Sequence, residues 1–316
     1  MKIKKKNLVW IAAAVLAVLL IPAFLYFYPL NKTTTQSPPI SSEKKIGGFV
    51  DKGGYLHYPL DRGEVNFSRF NYSQDESTLT SRIVFQSKRG TLYGLMVMPK
   101  QVKSEKLPAV ILLPGAGVSK ESELPFVQDI ARMGFVVFTL DQRGVGESSM
   151  PVPTLEQDFN LFANGIEPYS HLVVYDSLKA FDLLRNAPFV DSSNIIMAGE
   201  SIGGRIAIIA SVIDDNIKGT LAISTSGYEY RSNDTLSTLF LDSINPDNYA
   251  KLISPRKLAM IHNAKDKNVK YSSGIRTFEK ANEPKKFWTI NSTTCNHGYC
   301  DEMKDEVQEA LKYLVS

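Results

Sequence analysis

The sequence predicts an α/β fold in which a mostly parallel central sheet is covered by helices on both faces. Two observations indicate this class. Six apolar runs alternate with helical stretches, and a strand that is buried on both faces of a parallel sheet has this continuous apolar character. In addition, 43% of the 316 residues are hydrophobic, which suffices for a large buried core. The predicted strands are residues 109–113, 135–140, 195–197, 220–223, 258–261 and 287–290.

Two helices are predicted by apolar residues that recur with helical spacing. Each helix can pack its apolar face on the sheet. The apolar residues are Tyr175, Leu178, Phe181 and Leu184, and, near the carboxyl end, Met303, Val307, Ala310, Leu311 and Leu314. Before the first parallel strand, residues 80–87 and 91–98 are two β-rich runs separated by the turn residues Lys88, Arg89 and Gly90. They predict a β-hairpin.

The amino terminus predicts a membrane anchor. A short basic lead precedes residues 8–27, which contain no charged residue and, at about 1.5 Å per residue, span roughly 30 Å of hydrocarbon. No small-residue cleavage pattern closes this run, so an uncleaved anchor is favoured over a cleaved signal peptide and a secreted product. Lysines cluster before the segment, which predicts a cytoplasmic amino terminus and an extracytoplasmic domain in a single-pass membrane protein.

The chain therefore divides into four predicted parts. Residues 1–30 form the cytoplasmic tip and anchor, 31–45 a polar linker, 46–79 an irregular or short-stranded lead-in, and 80–316 the α/β domain. Within that domain, residues 227–257 form either a small cap over the pocket or a single helix that joins two strands.

The charge distribution excludes a nucleic-acid-binding surface. The formal net charge is +3, but residues 1–45 hold seven of the 36 basic residues and one of the 33 acidic residues. The remainder carries 29 basic and 32 acidic residues, so the folded domain is slightly acidic.

Residues 199–204, Gly-Glu-Ser-Ile-Gly-Gly, follow a buried strand and open an apolar helix. The spacing is that of the G-x-S-x-G elbow, which holds a serine in a sharp turn between strand and helix. Ser201 is therefore the candidate nucleophile. The N–H of Ile202, at the helix amino terminus, is a candidate oxyanion donor.

A serine nucleophile needs an imidazole to take its proton and a carboxylate to orient that imidazole. Of the four histidines, His297 lies beyond the last strand and before the last helix, and Asp266 follows the penultimate strand. The chain order Ser201, Asp266, His297 places each residue just after a strand, where ligands bind in such sheets.

The loop of residues 113–118 follows the first parallel strand and contains two glycines that allow backbone N–H groups to turn inward. It predicts a second oxyanion donor, assigned to Ala116, with Gly117 as the alternative.

Cys295 and Cys300 flank His297, and four intervening residues allow the two cysteines to approach disulfide distance. In an extracytoplasmic domain such a pair is expected to be oxidised. The alternatives are a pair of small packing residues and a metal site, although three ligands this close in sequence would strain a tetrahedral ion. We expect no metal and no cofactor.

These features resemble the dienelactone hydrolase and prolyl-oligopeptidase-like branch of the α/β-hydrolases over about residues 80–316. The hairpin, the elbow, the Asp266 and His297 loops, Pro114-Gly-Ala-Gly117 and the turn of residues 141–148 carry the resemblance. It implies the α/β-hydrolase fold, and for Asp141, Arg143, Gly144 and Gly146 a structural turn without a catalytic role. Many relatives carry His-Gly in place of Pro114-Gly115, and their histidine loop usually lacks cysteines.

The predicted function is an outward-facing, membrane-anchored serine hydrolase that cleaves small-molecule carboxylic esters through an acyl-enzyme. A peptidase or acyl-aminoacyl hydrolase of the same fold is the alternative within the enzymes. Outside them, the alternative is a catalytically silent anchored binding protein.

Overall fold

The computed structural model describes residues 47–101, 104–148, 150–230 and 232–316. Among these residues, no helix is both long enough and apolar enough to cross a bilayer. The predicted anchor and linker lie outside the described residues.

Eleven strands are present in the described residues. They are β1 (Phe49–Val50), β2 (Leu56–His57), β3 (Phe67–Gln74), β4 (Thr78–Ser87), β5 (Gly90–Pro99), β6 (Leu107–Leu113), β7 (Val136–Leu140), β8 (Val190–Glu200), β9 (Gly219–Ile223), β10 (Lys257–Asn263) and β11 (Lys285–Ile290). The first two pair with each other, and the other nine form one sheet in the order β11-β10-β9-β8-β6-β7-β5-β4-β3.

The larger part of this sheet is parallel, as predicted. Strands β7, β6, β8, β9, β10 and β11 are parallel neighbours, whereas β5, β4 and β3 join antiparallel at one edge. The six predicted apolar strands correspond to β6 to β11, and the predicted hairpin is β4 and β5, joined at a turn where Ser87 faces Gly90.

The helices of the described residues are α1 (Leu124–Arg132), α2 (Leu155–Ala163), α3 (Tyr169–Arg185), α4 (Ile202–Ile213), α5 (Thr235–Ser243), α6 (Pro246–Tyr249), α7 (Tyr271–Lys280) and α8 (Lys304–Val315). Short 3₁₀ turns lie at Ala250–Leu252 and Asp301–Met303.

The sheet has a hydrophobic core on each face, which explains why its strands are continuously apolar. In β6, the side chains of Ala109, Ile111 and Leu113 join the core beneath α3 and α4. Val110 and Leu112, which point to the opposite face, join the core beneath α1 and α8. Successive strand residues point to opposite faces, so a strand covered on both sides is apolar at most of its positions.

The lead-in is more ordered than the sequence indicated. Residues Phe67–Gln74 form an eight-residue edge strand whose side chains are all exposed. Upstream of it, Leu56 is buried, and its N–H donates to Tyr249 Oη at 2.7 Å. Arg62 reaches inward to ion pairs with Asp182 and Asp214. The part of 46–79 that the structure describes therefore packs against the α/β domain.

The segment 227–257 contains α5, α6 and a 3₁₀ turn, so the alternative of a single joining helix is wrong. Phe240 of α5 packs against Phe159 and Phe162 of α2. The segment begins near the elbow. Arg205 lies one helical turn after Ser201, and its guanidinium is 4.0 Å from the ring centroid of Tyr228, at the start of the segment.

Candidate active site

Ser201 lies at the turn between β8, which ends at Glu200, and α4, which begins at Ile202. Its backbone has φ 52° and ψ −117°, a conformation that a residue with a Cβ adopts only under strain. Two bonds hold the turn in place: the Ser201 N–H donates to Ile223 O at 2.9 Å, and the Thr225 hydroxyl donates to Ser201 O at 2.5 Å. The nucleophile elbow predicted from the sequence is therefore present as backbone geometry.

Two glycines of the elbow are required by close backbone approach. A Cβ at Gly203 would lie 2.0 Å from Leu113 O, and a Cβ at Gly199 would lie 2.3 Å from the Gly203 carbonyl. Neither contact is compatible with a side chain. The glycines thus bring α4 against the ends of β6 and β8, where Ser201 is held.

The predicted oxyanion donors lie on two sides of Ser201. Ile202 is the first residue of α4, so its N–H has no acceptor within the helix. The loop after β6 lies over the serine, since a Cβ on Gly115 would be 3.7 Å from Ser201 Cβ. Ala116 is exposed in this loop, and no group within the described residues accepts from its N–H. Ala116 as donor stays a prediction.

The turn of residues 141–148 fixes both ends of that loop. Gln142 Nε2 donates to Pro114 O at 2.6 Å, and the Lys120 N–H donates to Asp141 Oδ1 at 2.8 Å. The Lys120 ammonium is fully buried and lies 2.7 Å from Asp141 Oδ2 and 2.9 Å from Glu147 Oε2. The family resemblance implied a structural turn here, and its contacts hold the loop that follows β6.

The structure brings Asp266 and His297 together. His297 Nδ1 lies 3.0 Å from Asp266 Oδ1 and 2.9 Å from Oδ2. An ionised carboxylate can only accept, so Nδ1 must carry the proton. The other ring nitrogen, Nε2, is then the basic one, as a general base requires.

Asp266 stays ionised although it is buried. Burial alone would raise its pKa, but hydrogen bonds from His297 and from the N–H groups of Val269 and Asn268 bring the pKa below its ordinary value. Both backbone donors reach Oδ1 at 2.8 Å. The carboxylate is therefore fixed in charge and in orientation.

The other three histidines bond to other groups, although His262 Nε2 also lies 3.6 Å from Asp266 Oδ2. His57 contacts Asp51 at the exposed amino-terminal hairpin. His171 is buried on α3 against Ser243, and burial lowers its pKa to about 4. His262, on β10, lies 2.9 Å from Val269 O and packs beside the Asp266 loop, where burial lowers its pKa.

The predicted disulfide is present between Cys295 and Cys300, whose Cα atoms are 5.7 Å apart. It closes a ring that contains His297, and Cys295 is buried in the core beneath α8. Across the four described ranges, no cluster of His, Cys, Asp and Glu could hold a metal ion.

The histidine loop contacts the elbow directly. Glu200, which precedes Ser201, accepts a hydrogen bond from the Tyr299 N–H at 2.8 Å through Oε2. Tyr299 also stacks on Phe126 of α1, with ring centroids 3.7 Å apart. The sequence analysis missed this role of Glu200, although its position at the end of a buried strand, next to the candidate nucleophile, was a usable signal.

A sheet of this order, with a serine strained at the turn after its central strand and a histidine held by an aspartate after later strands, defines an α/β-hydrolase of the serine hydrolase class. Comparison with known proteins narrows the class. Residues 62–236 match the acetyl xylan esterase (AXE1) family, which is more than half of the chain.

The chain is also similar to a curated protein and to several solved structures. Uncharacterized protein YfhR of Escherichia coli (strain K12) is 24% identical over 275 residues, covering 80% of this chain and 90% of that protein. Among solved structures, acetyl xylan esterase from Paenibacillus sp. R4 has a TM-score of 0.66 at 16% identity, covering 80% of this chain and 90% of its own. Acetyl xylan esterase 1 from Thermoanaerobacterium sp. JW/SL YS485 has a TM-score of 0.63 at 16% identity, covering 81% and 91%.

The chain belongs to the acetyl xylan esterase family and is a carboxylic ester hydrolase. The matched region contains the loop after β6 and Ser201, whereas Asp266 and His297 lie beyond it.

Proposed function

We propose that the protein hydrolyses short-chain carboxylic esters through a catalytic triad of Ser201, His297 and Asp266. The observation that carries the proposal is the contact of both Asp266 carboxylate oxygens with His297 Nδ1, which leaves Nε2 as the base. Ser201 lies at the strained turn whose neighbour Glu200 contacts the His297 loop.

In this mechanism, Ser201 Oγ attacks the ester carbonyl carbon while His297 Nε2 takes the hydroxyl proton. The N–H groups of Ile202 and Ala116 stabilise the carbonyl oxygen as it becomes negative. His297 then gives its proton to the departing alcohol, which leaves an acyl group on Ser201. Water, activated by the same nitrogen, releases the acid and restores the serine.

Acetyl esters of hydroxyl-rich alcohols are the substrate class that we favour. The family and both solved relatives are named for acetyl xylan. A pocket of about 600 Å³ lies beside Tyr228 and is lined by tyrosine, amide and charged groups. Such a lining suits the hydroxyl groups of a sugar. None of Ser201, Asp266 and His297 lines this pocket, but Arg205, one helical turn after Ser201, contacts Tyr228 at its edge.

A chain-length series tests this substrate class. We expect full-length protein to hydrolyse aryl acetate fastest, with kcat/KM falling by about tenfold or more from acetate to octanoate. A small acyl site loses roughly 1 to 3 kcal/mol per misfitting methylene group. A rise in kcat/KM toward octanoate would contradict the assignment. Hydrolysis of peptide amides in preference to all esters would favour the peptidase alternative.

We also propose that residues 8–27 anchor the enzyme in the cell membrane with its catalytic domain outside. The support is the uncharged length of this segment and the lysines before it. Full-length protein should stay with membranes through high salt and alkaline carbonate, because a spanning helix is held by apolar burial. A chain that begins at Ile46 should stay in the supernatant. A cellular amino terminus between residues 30 and 46 would instead show cleavage and secretion.

A further inference from the structure

Two buried carboxyl groups meet one residue away from the proposed nucleophile. Glu123 directly precedes α1 and Glu200 ends β8, and they are only 5% and 8% exposed. Both side chains line the same pocket. Two ionised carboxylates buried side by side repel each other, which favours a proton on one of them.

The pair also needs a donor for another reason. Glu200 Oε2 accepts from the Tyr299 N–H, but Oε1 is buried and has no hydrogen-bond donor anywhere in the described residues. A buried acceptor without a partner is costly. A proton on Glu123 supplies the missing donor.

The glutamate pair is joined to the loop that carries His297. Tyr299 is bound through its N–H to Glu200 and through its ring to Phe126, in the first turn after Glu123. The Cys295–Cys300 bond closes the same loop around His297. A shift of the Glu200 carboxylate is therefore transmitted to Tyr299, two residues from the imidazole.

Burial, together with the neighbouring Glu200 carboxyl, raises the pKa of Glu123 to about 8. Burial also raises the pKa of Glu200, but the Tyr299 N–H and the bond from Glu123 offset part of that rise. Both shifts favour one proton held between the two glutamates.

We propose that Glu123 and Glu200 share one proton and that this proton positions the His297 loop beside Ser201. Both glutamates are positioning residues, and the inference rests on the proposed triad. When Glu123 releases its proton to solvent, two buried carboxylates face each other, and their repulsion displaces Glu200 from Tyr299.

The surroundings offer little positive charge to compensate for that loss. A pocket of about 470 Å³ adjoins the pair, and none of its described lining residues is a lysine or arginine. The titratable groups that face the pair are His297 and Tyr299 from the histidine loop and Asp301 and Glu302 from the following 3₁₀ turn. The carboxylates of Asp301 and Glu302 favour retention of the proton, whereas His297 and the Tyr299 N–H favour an ionised Glu200.

The variant Glu123→Gln tests the proposal, because its amide donates to Glu200 at every pH. We expect kcat/KM of full-length wild type on aryl acetate, corrected for spontaneous hydrolysis, to fall at least tenfold from pH 8 to pH 9.5. The variant should stay within about threefold of wild type at pH 7 and keep that activity to pH 9.5. Asp301→Asn, which removes an exposed carboxylate from the same pocket but leaves Glu123 able to ionise, should still lose activity at alkaline pH.

Thermal unfolding gives a readout that does not need catalysis. The folded state keeps the Glu123 proton to about pH 8, whereas an ordinary glutamate releases it near 4.5. The stability due to this proton is complete below about pH 4.5 and is lost as the pH rises to about 8. The Tm of wild type should therefore fall relative to that of Glu123→Gln between pH 5 and pH 8. Above pH 8 the difference between the two Tm values should stay constant.

The outcomes separate this proposal from the proposed function. The shared proton would be overturned if wild type and Glu123→Gln showed the same pH dependence of kcat/KM and a difference in Tm that did not change with pH. The expected Tm trend in a protein that hydrolyses no ester at any pH would support the pair and overturn the esterase mechanism. Should Glu123→Gln fail to fold, Glu200→Gln serves, since its amide oxygen still accepts from Tyr299 and its nitrogen donates to Glu123. A retained alkaline loss in that variant would likewise overturn the proposal.

Discussion

Replacement of Ser201 by alanine lowers kcat for ester hydrolysis by about five to six orders of magnitude while the domain stays folded. The loss is this large because the hydroxyl oxygen is the atom that bonds to the acyl group, and no other group replaces it. The strained backbone survives the change, since it is held by the Ser201 N–H and carbonyl rather than by the hydroxyl.

The measurement is single-turnover and steady-state kinetics on aryl acetate, with Tm as the test of folding. Ser192→Ala is the matched control, because Ser192 is exposed on the same strand, β8. It should match wild type in both readouts. A Ser201→Ala variant that keeps a tenth of the wild-type rate would require another nucleophile.

Replacement of Asp266 by asparagine lowers kcat by about four orders of magnitude with little change in fold. The backbone N–H groups of Asn268 and Val269 both donate to Oδ1, so the asparagine oxygen must occupy that position. Its amide nitrogen then takes the place of Oδ2, 2.9 Å from His297 Nδ1. As a donor, it forces Nδ1 to accept and leaves the proton on Nε2, where a base is needed.

Two checks accompany this prediction. The imidazole nitrogen-15 spectrum should show the proton on Nδ1 in neutral wild-type His297 and on Nε2 in the variant. Asp301→Asn, an exposed neighbour of the histidine loop, should keep wild-type kinetics. Wild-type kcat in Asp266→Asn, with the altered tautomer established, would show that His297 is not the base.

The sequence predicts the central strands of this fold well and its edge poorly. Residues 109–113 and 258–261 are apolar throughout because both sheet faces are covered there. The edge strand Phe67–Gln74 is exposed on both faces, so burial imposes no periodic pattern on it. Only its backbone pairing with β4 defines it, and that pairing is not visible in local composition.

The same distinction applies to the site. Ser201, Asp266 and His297 could be selected because each follows a strand, and ligands bind at the carboxyl ends of the strands in such a sheet. Glu123 meets Glu200 only after α1 and β8 are packed together. The contact of Lys120 with Asp141 likewise depends on the pairing of β6 with β7. The residues of these two pairs are not separated by a spacing that would predict their contact from the sequence.

The most direct test of the central claim is the mass of the intact protein after brief treatment with a fluorophosphonate, followed by peptide mapping. An activated serine bonds to phosphorus as fluoride leaves, and an ordinary serine does not react on that timescale. Wild type should gain one adduct, located on Ser201, and Ser201→Ala should gain none. Asp266→Asn should react far more slowly than wild type. An unmodified wild-type protein, or an adduct on any other residue, would contradict the assignment of Ser201 as the nucleophile.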